Sequence, residues 1–257
     1  MVMTQHDRLD YLISYMQQEV DENEVIPEGF DAKFEVFRGL ANERPAKPVT
    51  QEFLDVQDAF LSEYNREGVT DFETLVPVSD RLYLWQGDIT TLKADAIVNA
   101  ANPDMLGCFI PNHNCIDNII HTKAGAALRL ECAEMMETQG RKEAVGRAKI
   151  TSAYNLPADH VIHTVGPYVR DGKVSAMKED LLKKCYISCL KLADEKGLRN
   201  IAFCSISTGV FGFPKEAAAA IAVNTVKDYL HDSESGIEVI FNVFDDEDLE
   251  IYEKHLI

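Results

Sequence analysis

Gly87 to Gly125 runs G-D-I-T-T-L-K-A-D-A-I-V-N-A-A-N-P-D-M-L-G-C-F-I-P-N-H-N-C-I-D-N-I-I-H-T-K-A-G, and its reading decides the fold. Ala96 to Val98 has the pattern of a short buried strand that ends in a polar turn, Asn99-Ala100-Ala101-Asn102. Polar groups gathered at a strand's C-terminal end are where open α/β sheets place their ligands. Cys108, His113 and Cys115 follow within eight residues of one another, and all three are metal-ligand types. The stretch therefore points to a nucleotide-like ligand with a metal at its reactive end.

Working outward, apolar β-rich runs recur at Leu82 to Trp85, Ala148 to Ala153, Val161 to Val165, Ile201 to Ser205 and Val239 to Val243. Helical candidates lie between them at 117–138, 175–196, 215–231 and 246–255, with Gly197 as a C-terminal cap. Strands alternating with helices predict an α/β sheet, mostly parallel, with helices on both faces. Upstream the pattern is helical. Leu9, Leu12, Ile13, Met16 and Val20 share one face; Phe30, Phe34, Phe37 and Leu40 suggest a second helix. After the break at Pro45-Ala46-Lys47-Pro48, Thr50 caps a third with Phe53, Val56, Phe60, Leu61 and Tyr64 inward. The expected division is a helical N-terminal extension over residues 1–75 and an α/β domain over 76–257.

The chain has 257 residues and a net charge of −18. That charge argues against general nucleic-acid binding, which needs clustered Lys and Arg. A small phosphorylated ligand stays possible, because backbone N–H groups at turns hold pyrophosphate without basic side chains. No apolar run approaches the roughly 20 residues of a membrane helix. The first residues lack the basic flank and apolar core of a secretory signal, so a cytoplasmic location is expected, with free thiols rather than disulfides among six cysteines.

Several motifs together resemble the macrodomain family: Gly87-Asp88-Ile89-Thr90, Ala96 to Asn102, Ala124-Gly125, His163-Thr164-Val165-Gly166-Pro167 and Ser207 to Pro214. They come in the family's order across about residues 80 to 257. The resemblance implies a three-layer α/β/α macrodomain with a mostly parallel mixed sheet that binds ADP-ribose. In hydrolytic members a glycine run follows the Asn-Ala-Ala-Asn segment. Here a longer loop, Leu106 to Cys115, replaces it and resembles the zinc-containing macrodomain subfamily. That resemblance implies Zn2+ held by Cys108, His113 and Cys115, and removal of mono-ADP-ribose from protein side chains. The implied partners are an ADP-ribosylated protein, with a lipoyl-carrier protein as candidate, and free ADP-ribose. A functional link to a sirtuin-type ADP-ribosyltransferase is also implied, and neither nucleic acid nor membrane.

Asp88 and Ile89 are assigned to the adenine end by the resemblance; a turn cap is the plainer reading of Asp88. Ser207, Thr208, Gly209, Val210, Phe211, Gly212 and Phe213 offer small residues and backbone donors for the pyrophosphate, with Phe211 or Phe213 against a ring. Asn102 is expected at the distal ribose and Asp117 as the group that orients or deprotonates water. Asn99 reads as structural. His121 suits support of Asp117 or of the metal shell, or a core position, and His163 a core position. Three protein ligands leave a zinc an open fourth place, as in catalytic sites; the plainer readings are packed cysteines with an unrelated surface His, or a structural zinc closed by Asp117 or His121. The alternatives to a hydrolase are a non-catalytic ADP-ribose reader and a redox sensor built on Cys108 and Cys115.

Overall fold

In the computed structural model, which describes residues 3–21 and 25–256, three helices precede the sheet. Helix α1 (Gln5–Glu19) opens with a capping box in which Thr4 Oγ1 accepts from the Asp7 N–H and the Asp7 carboxylate from the Thr4 N–H. Leu9, Leu12, Ile13 and Met16 are buried as their spacing predicts. Val20, expected on the same face, is 54% exposed because the helix ends there. Helices α2 (Phe30–Glu43) and α3 (Gln51–Tyr64, capped by Thr50) complete an aromatic core, with Phe37 edge-on to Phe60 and Phe34 stacked on Tyr64.

The main sheet is built from β2 (Leu82–Gln86), β4 (Ala96–Ala101), β5 (Ala148–Ser152), β6 (His160–Val165), β7 (Asn200–Phe203) and β8 (Glu238–Val243). Their order is β2-β8-β7-β4-β6-β5, parallel throughout except for β5 against β6. Two short strands, β1 (Thr70–Asp71) and β3 (Leu92–Lys93), pair in parallel beside it. Each offers only two residues, too few for any sequence pattern. The central strands are buried residue after residue, which requires cover on both faces. Helices α4 (Ile116–Ala124) and α5 (Ala126–Gln139) pack on β4 and β5; α6 (Ala176–Glu195), α7 (Lys215–Asp232) and α8 (Asp246–Leu256) form the other layer. The result is the expected three-layer α/β/α arrangement behind a helical extension.

Three details differ from the sequence reading. Asn99-Ala100-Ala101 belongs to β4, with Asn99 opposite His163, so the turn starts only at Asn102. The helix expected over 117–138 is two helices broken at Gly125 (φ +95°), where a Cβ would lie 2.8 Å from Gln57 Oε1 of α3. The strand expected to reach Ser205 ends at Phe203. From β4 the chain continues toward β5 and β6 on one side of the sheet, and from β7 toward β8 on the other. The two neighbours therefore open a crevice at their C-terminal ends, where such sheets take ligands. Among the described residues no helix is long and apolar enough to cross a membrane.

Candidate functional site

The loop after β4 turns at once, the Met105 N–H bonding the Asn102 carbonyl at 3.0 Å, and passes through left-handed backbone at Met105 and Gly107. It returns to start α4 with Cys115 at the N-cap. Cys108, His113 and Cys115 bring their ligand atoms within 4.8 Å of one another, with Cys108 Sγ 3.7 Å from His113 Nδ1. Burial pushes the Cys115 thiol up to about 12, and Cys108 beside it adds to the shift. Two cysteine sulfurs packed with an imidazole are a donor set that zinc takes. The residues present therefore fit zinc with three protein ligands. Neither Asp117 nor His121 joins the cluster.

Asp117, on the first turn of α4, is 5% exposed and faces the end of β4. Its Oδ1 accepts from Asn99 Nδ2 at 2.8 Å and its Oδ2 from Asn102 Nδ2 at 3.2 Å. Burial pushes its carboxyl up to about 6 against the pull of those amides and Arg129. Asn102, half-buried, is also tied to the loop: its Nδ2 donates to the Gly107 carbonyl and its Oδ1 accepts from the Asp104 N–H. Asn99 is structural as expected, but its partners are the side chains of Asp117 and His163 rather than backbone.

His163 is fully buried. Its Nδ1 lies 3.1 Å from Asn99 Nδ2, an atom that only donates, so Nε2 carries the proton and gives it to Thr151 Oγ1 at 3.0 Å. A second group of metal-type donors, His121, Cys132 and His163, thus has its central imidazole already satisfied. His121 lies under the loop. Its ring is 3.7 Å from Asp117 Oδ1, and burial keeps it neutral by drawing its pKa far down. A Cβ on Gly107 would come within 2.7 Å of that ring.

Asp88 caps the short 3-10 turn Ile89–Thr91, its Oδ1 accepting from the Thr90 N–H and hydroxyl, and pairs with Lys123 Nζ at 2.9 Å. Partial burial opposes its charge, but Lys123 and Thr90 outweigh that and hold the carboxyl below the usual range. Ile89 is in the core. In the segment after β7, Ser207 (φ +69°) and Gly212 (φ +67°) bend the chain; a Cβ on Gly212 would meet the Val169 carbonyl at 2.8 Å. The N–H groups of Gly209, Val210 and Phe211 have no hydrogen-bond partner among the described residues, leaving three consecutive donors. Phe213 is 1% exposed and belongs to the core, so of the two aromatics only Phe211, edge-on to Tyr168, can meet a ligand ring. Thr208 and Val210 lie at the surface of the same turn.

Sequence reasoning missed the residues that hold the loop. Asn118, fully buried, donates to the carbonyls of Ile110 and Cys108. Arg129, on α5, donates to the Leu106 carbonyl and lies 4.6 Å from the centre of the Phe109 ring. Arg129 carried a signal, a cation within the otherwise apolar run Ala126 to Leu130; Asn118 carried none.

A mostly parallel sheet covered by helices on both faces, with a polar crevice where β4 and β7 diverge, is the arrangement of an α/β ligand-binding module. The Macro domain model matches residues 98–222. A protein-ADP-ribose hydrolase of Staphylococcus aureus is 58% identical over 96% of this chain and 94% of its own length. A mutant macrodomain of Oceanobacillus iheyensis solved with ADPR is 38% identical, with a TM-score of 0.64 over 71% of this chain and 96% of that one. A Trypanosoma brucei macrodomain in complex with ADP-ribose is 32% identical, with a TM-score of 0.65 over 81% and 91% of the two chains. The chain belongs to the Macro domain family.

Proposed function

We propose that this chain is a zinc-dependent protein-ADP-ribose hydrolase, which removes mono-ADP-ribose from modified side chains. The observation that carries the reading is a buried carboxylate, Asp117, fixed by Asn99 and Asn102 next to the cluster of Cys108, His113 and Cys115. The name of the S. aureus relative and the ADP-ribose held by the T. brucei neighbour support the same chemistry.

In this reading the backbone donors of Gly209, Val210 and Phe211 face the pyrophosphate, and Asp88 and Ile89 border the adenine. Asn102 and Asn99 aim the Asp117 carboxylate at the distal ribose. Asp117 takes a proton from the attacking water as the water oxygen bonds to the anomeric carbon. The bond from that carbon to the side chain breaks, and its electron pair leaves with the side-chain atom, which is then protonated. The transition state has oxocarbenium character, which a nearby carboxylate favours. Zinc, held by Cys108, His113 and Cys115, would supply Lewis acidity to a ribose oxygen or to water. The substrate is an ADP-ribosylated protein, with a lipoyl-carrier protein and a sirtuin-type transferase as the proposed setting.

Release of ADP-ribose from mono-ADP-ribosylated protein tests this, with wild type, Cys108→Ala and Cys115→Ala compared alongside metal analysis. Release that disappears with the zinc, while free ADP-ribose still binds, is expected. Tight binding with no release from acidic, arginine or serine linkages would identify a reader instead.

A further inference from the structure

The extension reaches the metal-ligand loop through one face of α2. Arg38 and Asn42 are four residues apart and so lie on the same side of the helix. Arg38 Nη2 donates to the His113 carbonyl at 2.8 Å, and Nε and Nη2 both donate to Asn118 Oδ1 at 3.2 and 3.1 Å. That fork fixes the Asn118 amide, whose Nδ2 in turn holds the carbonyls of Ile110 and Cys108. Asn42 Oδ1 accepts from the Asn112 N–H at 3.0 Å, and its Nδ2 donates to Thr122 Oγ1 at 2.9 Å. Thr122 Oγ1 donates to the Asn118 carbonyl, which ties both residues into one network. Between them Gly39 lies against Pro111 and Asn112. The C-terminal end of α2 is secured from the opposite direction, since Arg129 donates to the carbonyls of Ala41, Asn42 and Arg44 while also holding Leu106.

These contacts reach the loop at residues 106, 108, 110, 112 and 113, which include Cys108 and His113 of the cluster. The loop has no regular secondary structure between β4 and α4, and these donors add to the few turn bonds it makes within itself. We infer that α2 is part of the candidate site, with Arg38 and Asn42 as positioning residues that hold Cys108 and His113 in place to bind zinc. The inference rests on the zinc reading above for its metal, but not for the clamp itself.

The test uses the full chain with Arg38→Ala, Arg38→Lys and Asn42→Ala. Arg8→Ala is the control, because Arg8 links α1 to Glu63 and Ala59 of α3, away from the loop. Three readouts are followed: zinc release to a chromogenic chelator, visible absorption of the Co2+-substituted protein, and hydrogen exchange of amides 106–115. Arg38→Ala is expected to release zinc about 10- to 100-fold faster, the usual effect of losing a group that orients a ligand. It should also shift the Co2+ bands and raise exchange in the loop. Arg38→Lys, which keeps the charge but not the fork, should fall between. Arg8→Ala should match wild type on all three. The inference is overturned if Arg38→Ala and Asn42→Ala keep wild-type release and exchange, or if Arg8→Ala loosens the loop equally. A wild type that binds no zinc would sink the functional reading, and the exchange data would still decide the clamp.

Discussion

Gly107 is constrained twice. Its backbone is left-handed (φ +82°), and a side chain there would run into the His121 ring. Gly140 has similar backbone (φ +68°) with nothing within 4 Å of its missing Cβ. Alanine at Gly140 should therefore cost only the conformational penalty of about 1–2 kcal/mol. Gly107→Ala adds overpacking of about 1–3 kcal/mol. Urea unfolding of the two variants separates the terms; equal losses would show that His121 yields to the new methyl. The cysteines and His113 were legible because three ligand types stand within eight residues. The need for Gly107 was not, since it depends on a ring fourteen positions away that packs beneath it.

His163 gives a pH prediction at the same scale. Burial draws its imidazole down to about 4 from the ordinary 6.5. Asn99 and Thr151 bond it directly, with Cys132 at 4.0 Å, the His121 ring nearby and Asp117 behind Asn99. Above pH 6.5 the folded and unfolded forms are both neutral and the group has no effect. As pH falls from about 6.5 toward 4, only the unfolded chain takes up the proton, and stability drops by up to roughly 3 kcal/mol. The stability advantage of wild type over His163→Gln should shrink by about 2–3 kcal/mol between pH 7.5 and 4.5. A difference independent of pH would mean the imidazole titrates normally.

Among elements, the break between α4 and α5 shows where pattern reading runs out. Apolar spacing continues through Gly125, so residues 117–138 look like one helix. The interruption comes from α3: Gln57, 2% exposed, accepts from the Ala126 N–H at 2.8 Å and so caps α5 from outside. Gln57→Leu keeps the volume but leaves that N–H without an acceptor, and should cost about 1–3 kcal/mol in urea unfolding. A loss below 0.5 kcal/mol on that order-of-magnitude scale would show the cap to be dispensable. The six sheet strands were legible because β-branched and apolar runs set them off from the helices. The limits of β4 were not: Asn99 resembles a turn residue and is held in the strand by Asp117 and His163.

For the whole molecule, the issue is how two separate apolar cores act as one. The extension has its own cluster around Phe37 and Phe60, distinct from that of the sheet. What joins them is mainly polar. Asn65 donates to the carbonyls of Lys123 and Asn155, Asn155 donates to Asp58, and Arg129 donates to the end of α2. Sequence patterns locate both cores but cannot show such links, whose partners lie 58 to 97 positions apart across the two bodies. Asn65 and Arg129 are buried, and separating the bodies would exchange their bonds to the other body for water, at a net loss of about 0.5–1.5 kcal/mol per bond. The extension and the sheet domain should therefore unfold together. Trp85, on β2, is the only tryptophan and reports the sheet domain by fluorescence, while far-ultraviolet circular dichroism includes α1 to α3. Coincident urea midpoints from the two probes are expected. A circular dichroism loss that precedes the fluorescence change would mean that the extension melts first. In that case the loop carrying Cys108 and His113 would lose its brace under conditions in which the sheet still stands.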